Sequence, residues 1–187
     1  MKKQIKVFLL ACIGFVCLLF IASSCHKTPD PNPEPDLPAA TQEGKGTIGC
    51  YFNGEPWLPK PFLCLMCESY FKAINKNQEL NIHFINYKYT NAVNIDQRID
   101  LKIASPKIGE NRILNNIVLV DSKDRMNYKS YDLDTTKPHK IFLTKLDTIN
   151  KIIAGTFEFT AIDKKNNHTV VITKGRFDAG KYHTEFW

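Results

Sequence analysis

The chain has 187 residues, with 25 Lys or Arg against 19 Asp or Glu, a formal net charge of +6 and 43% hydrophobic residues. That length suits one ordinary domain and is too short for two. Met1 to Ser24 hold three of the lysines and no acid, so the remainder carries 22 against 19, or +3, with the signs interspersed; no basic stripe for nucleic acid results.

At the N-terminus Lys2, Lys3 and Lys6 precede an uncharged apolar run, Val7 to Ala22. Small residues, Ala22, Ser23 and Ser24, lead to Cys25. A positive region, a short apolar region and a small-residue cleavage site make an export signal. The run of 16 residues is shorter than the ~20 that a spanning helix needs. Ile21-Ala22-Ser23-Ser24-Cys25 resembles a bacterial lipobox. That resemblance implies cleavage between Ser24 and Cys25, a diacylglycerol thioether on the Cys25 sulfur and acylation (palmitate, for example) of the new N-terminus. His26, which is not acidic, favours the outer membrane. Each buried CH₂ contributes about 0.8 kcal/mol, so several acyl chains on one residue hold the protein at the membrane. Residues 1–24 are therefore predicted to be a lipoprotein signal peptide.

Residues 25–44 are predicted to be the lipidated cysteine and a tether. In Thr28-Pro29-Asp30-Pro31-Asn32-Pro33-Glu34-Pro35-Asp36-Leu37-Pro38, proline recurs at nearly every second position. It fixes φ and removes amide donors, so neither helix nor sheet can form. From His26 to Gly44 the segment reads as a semi-rigid spacer reaching at most ~60 Å at about 3.1 Å per residue.

Residues 45–187 are predicted to be a single all-β domain, because the dominant hydrophobic period is two. Ile48, Cys50 and Phe52 alternate with Thr47, Gly49 and Tyr51, and Asn53-Gly54 then predicts a tight hairpin returning through Trp57 towards Pro59. A β-like run follows Cys67. Leu80, Ile82 and Phe84 share one face and Ile85, Tyr87 and Tyr89 the other, which predicts a bulge near Phe84-Ile85 or a strand covered on both sides. Ile99, Leu101 and Ile103 alternate, Ile117 to Val120 form a short apolar run, and Ile141 to Leu146 read as a strand. The C-terminal pair, Gly155 to Ala161 and His168 to Phe177, is set in register by pairing Asp163 with His168, Ala161 with Val170 and Phe159 with Ile172. Many short strands predict an antiparallel β-sandwich, with a small lipocalin-like β-barrel as the alternative.

With Cys12 and Cys17 in the signal and Cys25 lipidated, Cys50, Cys64 and Cys67 remain. Cys64-Leu65-Met66-Cys67 has redox or zinc spacing, but lacks the following helix of the redox motif and the two further ligands of a zinc site. In an oxidising compartment, a disulfide of Cys50 with Cys64 or Cys67 is the expectation, with reduced buried thiols next. No metal site, cofactor, nucleophile elbow or phosphate loop is predicted, and so no catalytic residue. His83, between Ile82 and Phe84 on the opposite strand face, is the histidine to watch. Tyr51, Trp57, Tyr87, Tyr89, Tyr128, Tyr131 and Trp187 are the aromatics to consider, with Trp57, Tyr87 and Tyr89 the predicted ligand contacts.

Asn53-Gly54-Glu55-Pro56-Trp57, Gly155-Thr156-Phe157-Glu158-Phe159 and Ile172-Thr173-Lys174-Gly175-Arg176-Phe177, together with the lipobox and polar linker, resemble a family of Bacteroidetes outer-membrane lipoproteins. The resemblance covers both ends of the domain, implies an exported all-β fold and brings no catalytic residues; the Cys64/Cys67 pair lies outside its pattern. Asp134-Thr135-Thr136 and Asp147-Thr148-Ile149 look like the short O-glycosylation motif of that phylum. The expectation is a lipid-anchored envelope protein, a non-enzymatic binding or accessory module for a glycan or protein. The alternatives are a secreted hydrolase whose site is assembled from distant residues and a structural envelope subunit.

Overall fold

The structure is a computed structural model whose chain divides into two compact units, Met1–Pro31 and Asn32–Trp187. The described residues, 36–59, 71–89, 94–115, 117–122 and 128–186, all belong to the second unit. Ser24 and Cys25 of the predicted anchor, and Cys64 and Cys67, lie outside them.

These residues form strands and no helix. In chain order they are β1 (Thr47–Phe52), β2 (Glu55–Trp57), β3 (Phe71–Lys76), β4 (Glu79–Tyr89), β5 (Asn94–Ala104), β6 (Gly109–Asn111), β7 (Ile117–Ser122), β8 (Tyr128–Leu133), β9 (Lys140–Asp147), β10 (Ile152–Asp163), β11 (His168–Ala179) and β12 (Thr184–Phe186). Neighbours run β12-β3-β4-β5-β7-β8-β10-β11-β1-β2, while β9 pairs with β10 and carries β6. Every pair is antiparallel except β12 with β3. The path begins at β12 and finishes at β2 without closing, which sets aside the barrel alternative. Both ends are strands of three residues, too short to template pairing with another chain.

The sheet folds over so that β3 and β4 cover β10 and β11, the sandwich the alternation predicts. Phe84 stacks on Phe157 at 5.4 Å, and Phe71 meets Phe177 edge-on at 6.4 Å. Leu80, Ile82, Ile99, Leu101, Ile103, Phe159 and Ile172 complete the fully buried middle. Burying each such side chain contributes about 1.5–3 kcal/mol.

The first hairpin turns at Asn53 (φ 51) and Gly54 (φ 86), pairing Cys50 with Trp57 and Phe52 with Glu55. Asn53 also donates its amide to the Val171 carbonyl at 2.9 Å, and its Oδ1 accepts the Val171 amide at 2.8 Å. The C-terminal pair has the predicted register, Asp163 with His168, Ala161 with Val170 and Phe159 with Ile172. Further along, Gly155 lies opposite Phe177 and Phe157 opposite Gly175. Each ring lies over the facing glycine: a Cβ on Gly175 would fall 2.5 Å from Phe157 Cε2, and one on Gly155 3.0 Å from Phe177 Cζ and 2.4 Å from the Phe142 carbonyl of β9. The two glycines thus make room for the two rings at the centre of the sandwich.

Two expectations change. β4 pairs with β3 and β5 without a shift through Phe84-Ile85, so there is no bulge. The other predicted alternative holds: the parity switch marks a strand with buried residues on both faces, Phe84 on one and Ile85 on the other. The predicted spacer also ends earlier than Gly44. Leu37 is buried, Arg176 Nη1 donates to the Pro38 carbonyl at 3.4 Å, and Thr41 to Lys45 gather around Asp178. Proline strips donors only as far as Pro38; beyond it the amides return, and a buried carboxylate collects them. Residues 36–46 form a strap on the domain.

Candidate functional site

Alternation on β3, β4 and β5 sends Leu80, Ile82 and Phe84 to the core, and Lys72, Ile74, His83, Ile85, Arg98 and Asp100 to the opposite face. Register places Lys72 beside His83 and His83 beside Asp100, a row across three strands. The parallel pairing of β12 with β3 brings Glu185 to the end of that row. On this face, beside Tyr182 and His183 of the turn before β12, lies a cleft of ≈ 440 Å³, within the range of small-ligand sites. It is lined by Lys72, Ile74, His83, Ile85, Arg98 and the segment Tyr182 to Glu185.

Two of the basic side chains in the cleft each meet an acid. Lys72 Nζ lies 2.6 Å from Glu185 Oε1, and His83 Nδ1 is 2.5 Å from Asp100 Oδ1. A carboxylate can only accept, so His83 Nδ1 donates and the ring is oriented by Asp100. Asn115 fixes the neighbouring backbone, donating to the Asp100 carbonyl at 2.7 Å and accepting the Lys102 amide at 2.9 Å. His183 stacks on Phe71 with centroids 5.4 Å apart, and burial lowers its pKa from the ordinary 6.5, keeping the ring neutral. Thr184 donates its hydroxyl to the Lys151 carbonyl at 2.9 Å, with the Gly180 carbonyl 3.2 Å away. The one hydroxyl in the wall other than that of Tyr182 is therefore engaged. Tyr182 stands at the rim, 84% exposed, with Lys181 Nζ 4.8 Å from its ring centroid.

Of the residues singled out from sequence whose side chains are described, His83 lines the cleft and Cys50, Trp57 and Tyr131 do not. Cys50 is a free thiol in the core, and burial pushes its pKa far up, so it is no nucleophile. Trp57 is 3% exposed, with Nε1 donating to Gln97 Oε1 at 2.9 Å; it fills the core and presents no ring to a ligand. The backbones of Tyr87 and Tyr89 continue β4, but their side chains lie outside the described residues. Tyr131 is buried, its hydroxyl 3.2 Å from His168 Nδ1. Among the described residues, no group of three or more His, Cys, Asp or Glu is placed to hold a metal ion.

Tyr182, Lys72, Arg98 and Glu185 belong to no sequence motif. A charge alternating with apolar residues reads as an ordinary solvent-facing position. Only the pairing partner reveals the row. Comparison with family models, curated proteins and solved structures returns no match for this chain.

Proposed function

We propose that the protein is a lipid-anchored module of the bacterial outer membrane that binds an uncharged saccharide in the β3–β5 cleft without transforming it. The observation that carries this reading is that Lys72 in the cleft is ion-paired with Glu185 and His83 is held by Asp100, so donors and acceptors of both kinds stand in fixed positions. A lone cationic pocket would select an anion, and an apolar one a lipid or aromatic. Here Glu185 neutralises Lys72, Asp100 orients His83, and both pairs offer donors and acceptors in fixed positions. Hydroxyl groups suit such a surface, and the exposed Tyr182 ring offers an apolar face to a sugar's CH groups. The lipobox ending at Cys25 and the family resemblance support export and anchoring, and the Pro-rich stretch supports a domain held off the membrane.

A printed array of neutral and acidic glycans, probed with the protein, tests the ligand class. Binding confined to neutral glycans, and lost in Tyr182→Ala, is expected; binding to acidic glycans alone contradicts it. The oriented His83–Asp100 pair favours a second reading, a glycan hydrolase with His83 as base. Release of reducing ends from the bound glycan, abolished in His83→Ala, would establish that reading in place of the first.

A further inference from the structure

The rim of the cleft is not carried by the sheet alone. Behind the turn at residues 180–183 lies the strap, and the two touch through glycines. Gly44 (φ +75) abuts Gly180 so closely that a Cβ on Gly180 would overlap the Gly44 carbonyl. A Cβ on Gly46 (φ +71) would overlap the His183 ring. The turn is in turn tied to the cleft floor: His183 donates its amide to the Gly180 carbonyl at 2.8 Å, and the His183 carbonyl accepts the Ala73 amide of β3 at 2.7 Å.

The strap itself is held by Asp178, whose side chain is part of a residue only 1% exposed. The carboxylate accepts from Thr41 Oγ1 at 2.6 Å and from the amides of Glu43, Gly44 and Lys45 at 3.1, 2.8 and 3.2 Å. The Asp178 carbonyl takes the Gly46 amide at 2.8 Å as well. Charge-assisted bonds from consecutive amides form a tight clasp, because they fix both the path of the backbone and its distance from β11. Left-handed φ at Gly44 and Gly46 lets the chain curl round the carboxylate and still pass flat against the turn.

We infer that Asp178 is a positioning residue of the cleft: by clasping residues 41–45 it seats the strap behind the 180–183 turn and so sets Tyr182 and His183 at the rim. This rests on the cleft being the binding site, as proposed above. It makes the end of the tether part of the ligand-binding apparatus. The links are direct contacts throughout, from Thr41 through Asp178, Gly44, Gly180 and His183 to β3.

Hydrogen exchange on the full chain in detergent, run with the titration of a neutral glycan taken from the array, tests it. Asp178→Asn places an amide donor against the strap amides, and Thr41→Val removes one donor with less risk to folding. The Ala73 and His183 amides are expected to exchange at least about tenfold faster in Asp178→Asn, with those of Gly44 and Gly46, and less so in Thr41→Val. Central β10–β11 amides such as Ala161 and Val170 keep their rates, and glycan affinity falls with the rim protection. Three results would overturn the inference: Gly44 and Gly46 freed with Ala73 and His183 unchanged, uniform acceleration including Ala161 and Val170, or a loosened rim with full glycan affinity. If the array yields no ligand, the saccharide reading fails while the exchange pattern still decides the clasp.

Discussion

Gly175 and Gly155 show how far single residues explain the pattern of the last two long strands. The Gly-Thr-Phe-x-Phe and Ile-Thr-x-Gly-x-Phe sequences are legible as strands from alternation alone, and their register follows from the turn between them. Their glycines are not explained by alternation, because Gly175 answers to the Phe157 ring on the facing strand and Gly155 to the Phe142 carbonyl of β9 as well as to the Phe177 ring. Gly175→Ala sets a Cβ 2.6 Å from the Phe157 carbonyl as well as against its ring, so the backbone has to shift. A loss of about 1–3 kcal/mol in urea unfolding is expected, the usual cost of overpacking; an unchanged midpoint would show that the rings do not occupy this arrangement. Titration is also a single-residue property. Burial depresses the pKa of His183, so the unfolded chain takes up its proton first, and stability falls as pH drops below 6.5. Asp163 behaves differently. Bonds from Asn166 and the Lys165 amide lower its carboxyl below 3.8, and its contribution is lost only in stronger acid. His183→Gln should therefore flatten the stability profile just below neutrality and leave the acid limb in place, as urea midpoints across pH would show.

Two hairpins of the same geometry show at the scale of elements what can be read in advance. Asn53-Gly54 announces its turn, since both central positions need positive φ and these residues tolerate it. Asn77 (φ 53) and Gln78 (φ 61) make the equivalent turn between β3 and β4 with no glycine to signal it. The strands β6, β8 and β12 are not legible in the sequence for a related reason. β6 and β12 have only three residues each, and β8, between β7 and β10, is rich in polar residues, so only their partners make them strands. Gly54→Ala isolates the turn's own cost, because a Cβ there meets nothing within 4 Å. A destabilisation of about 1 kcal/mol is expected from the backbone alone. A loss several times larger would mean that the hairpin tip makes contacts beyond its bonds to Val171. The strap could not have been recognised from its own residues, since its binding partner, Asp178, lies more than a hundred positions away.

For the molecule as a whole, the fold class was legible and the site was not. Period-two alternation, repeated along the chain, dictates a β-rich domain whatever its topology. The cleft depends on a parallel return of β12 onto β3, on the row of charges across β3, β4 and β5, and on an exposed tyrosine in a turn; none leaves a local mark. The strap also shortens the stretch able to act as a spacer, which ends at or before Asp36. Anchoring belongs to this scale too. Cys25→Ala removes the thiol proposed to receive the lipid, so the variant is expected to remain in the unprocessed form and to take up no label in metabolic acyl labelling. A variant that still incorporates labelled acyl chains would refute anchoring at Cys25. The central claim, that the cleft binds a neutral saccharide, is tested most directly by NMR amide shifts recorded while the array's best neutral glycan is titrated in. The account predicts shifts concentrated on Lys72–Ile74, His83–Ile85, Arg98–Asp100 and Tyr182–Glu185; saturable shifts clustered elsewhere on the domain would contradict it.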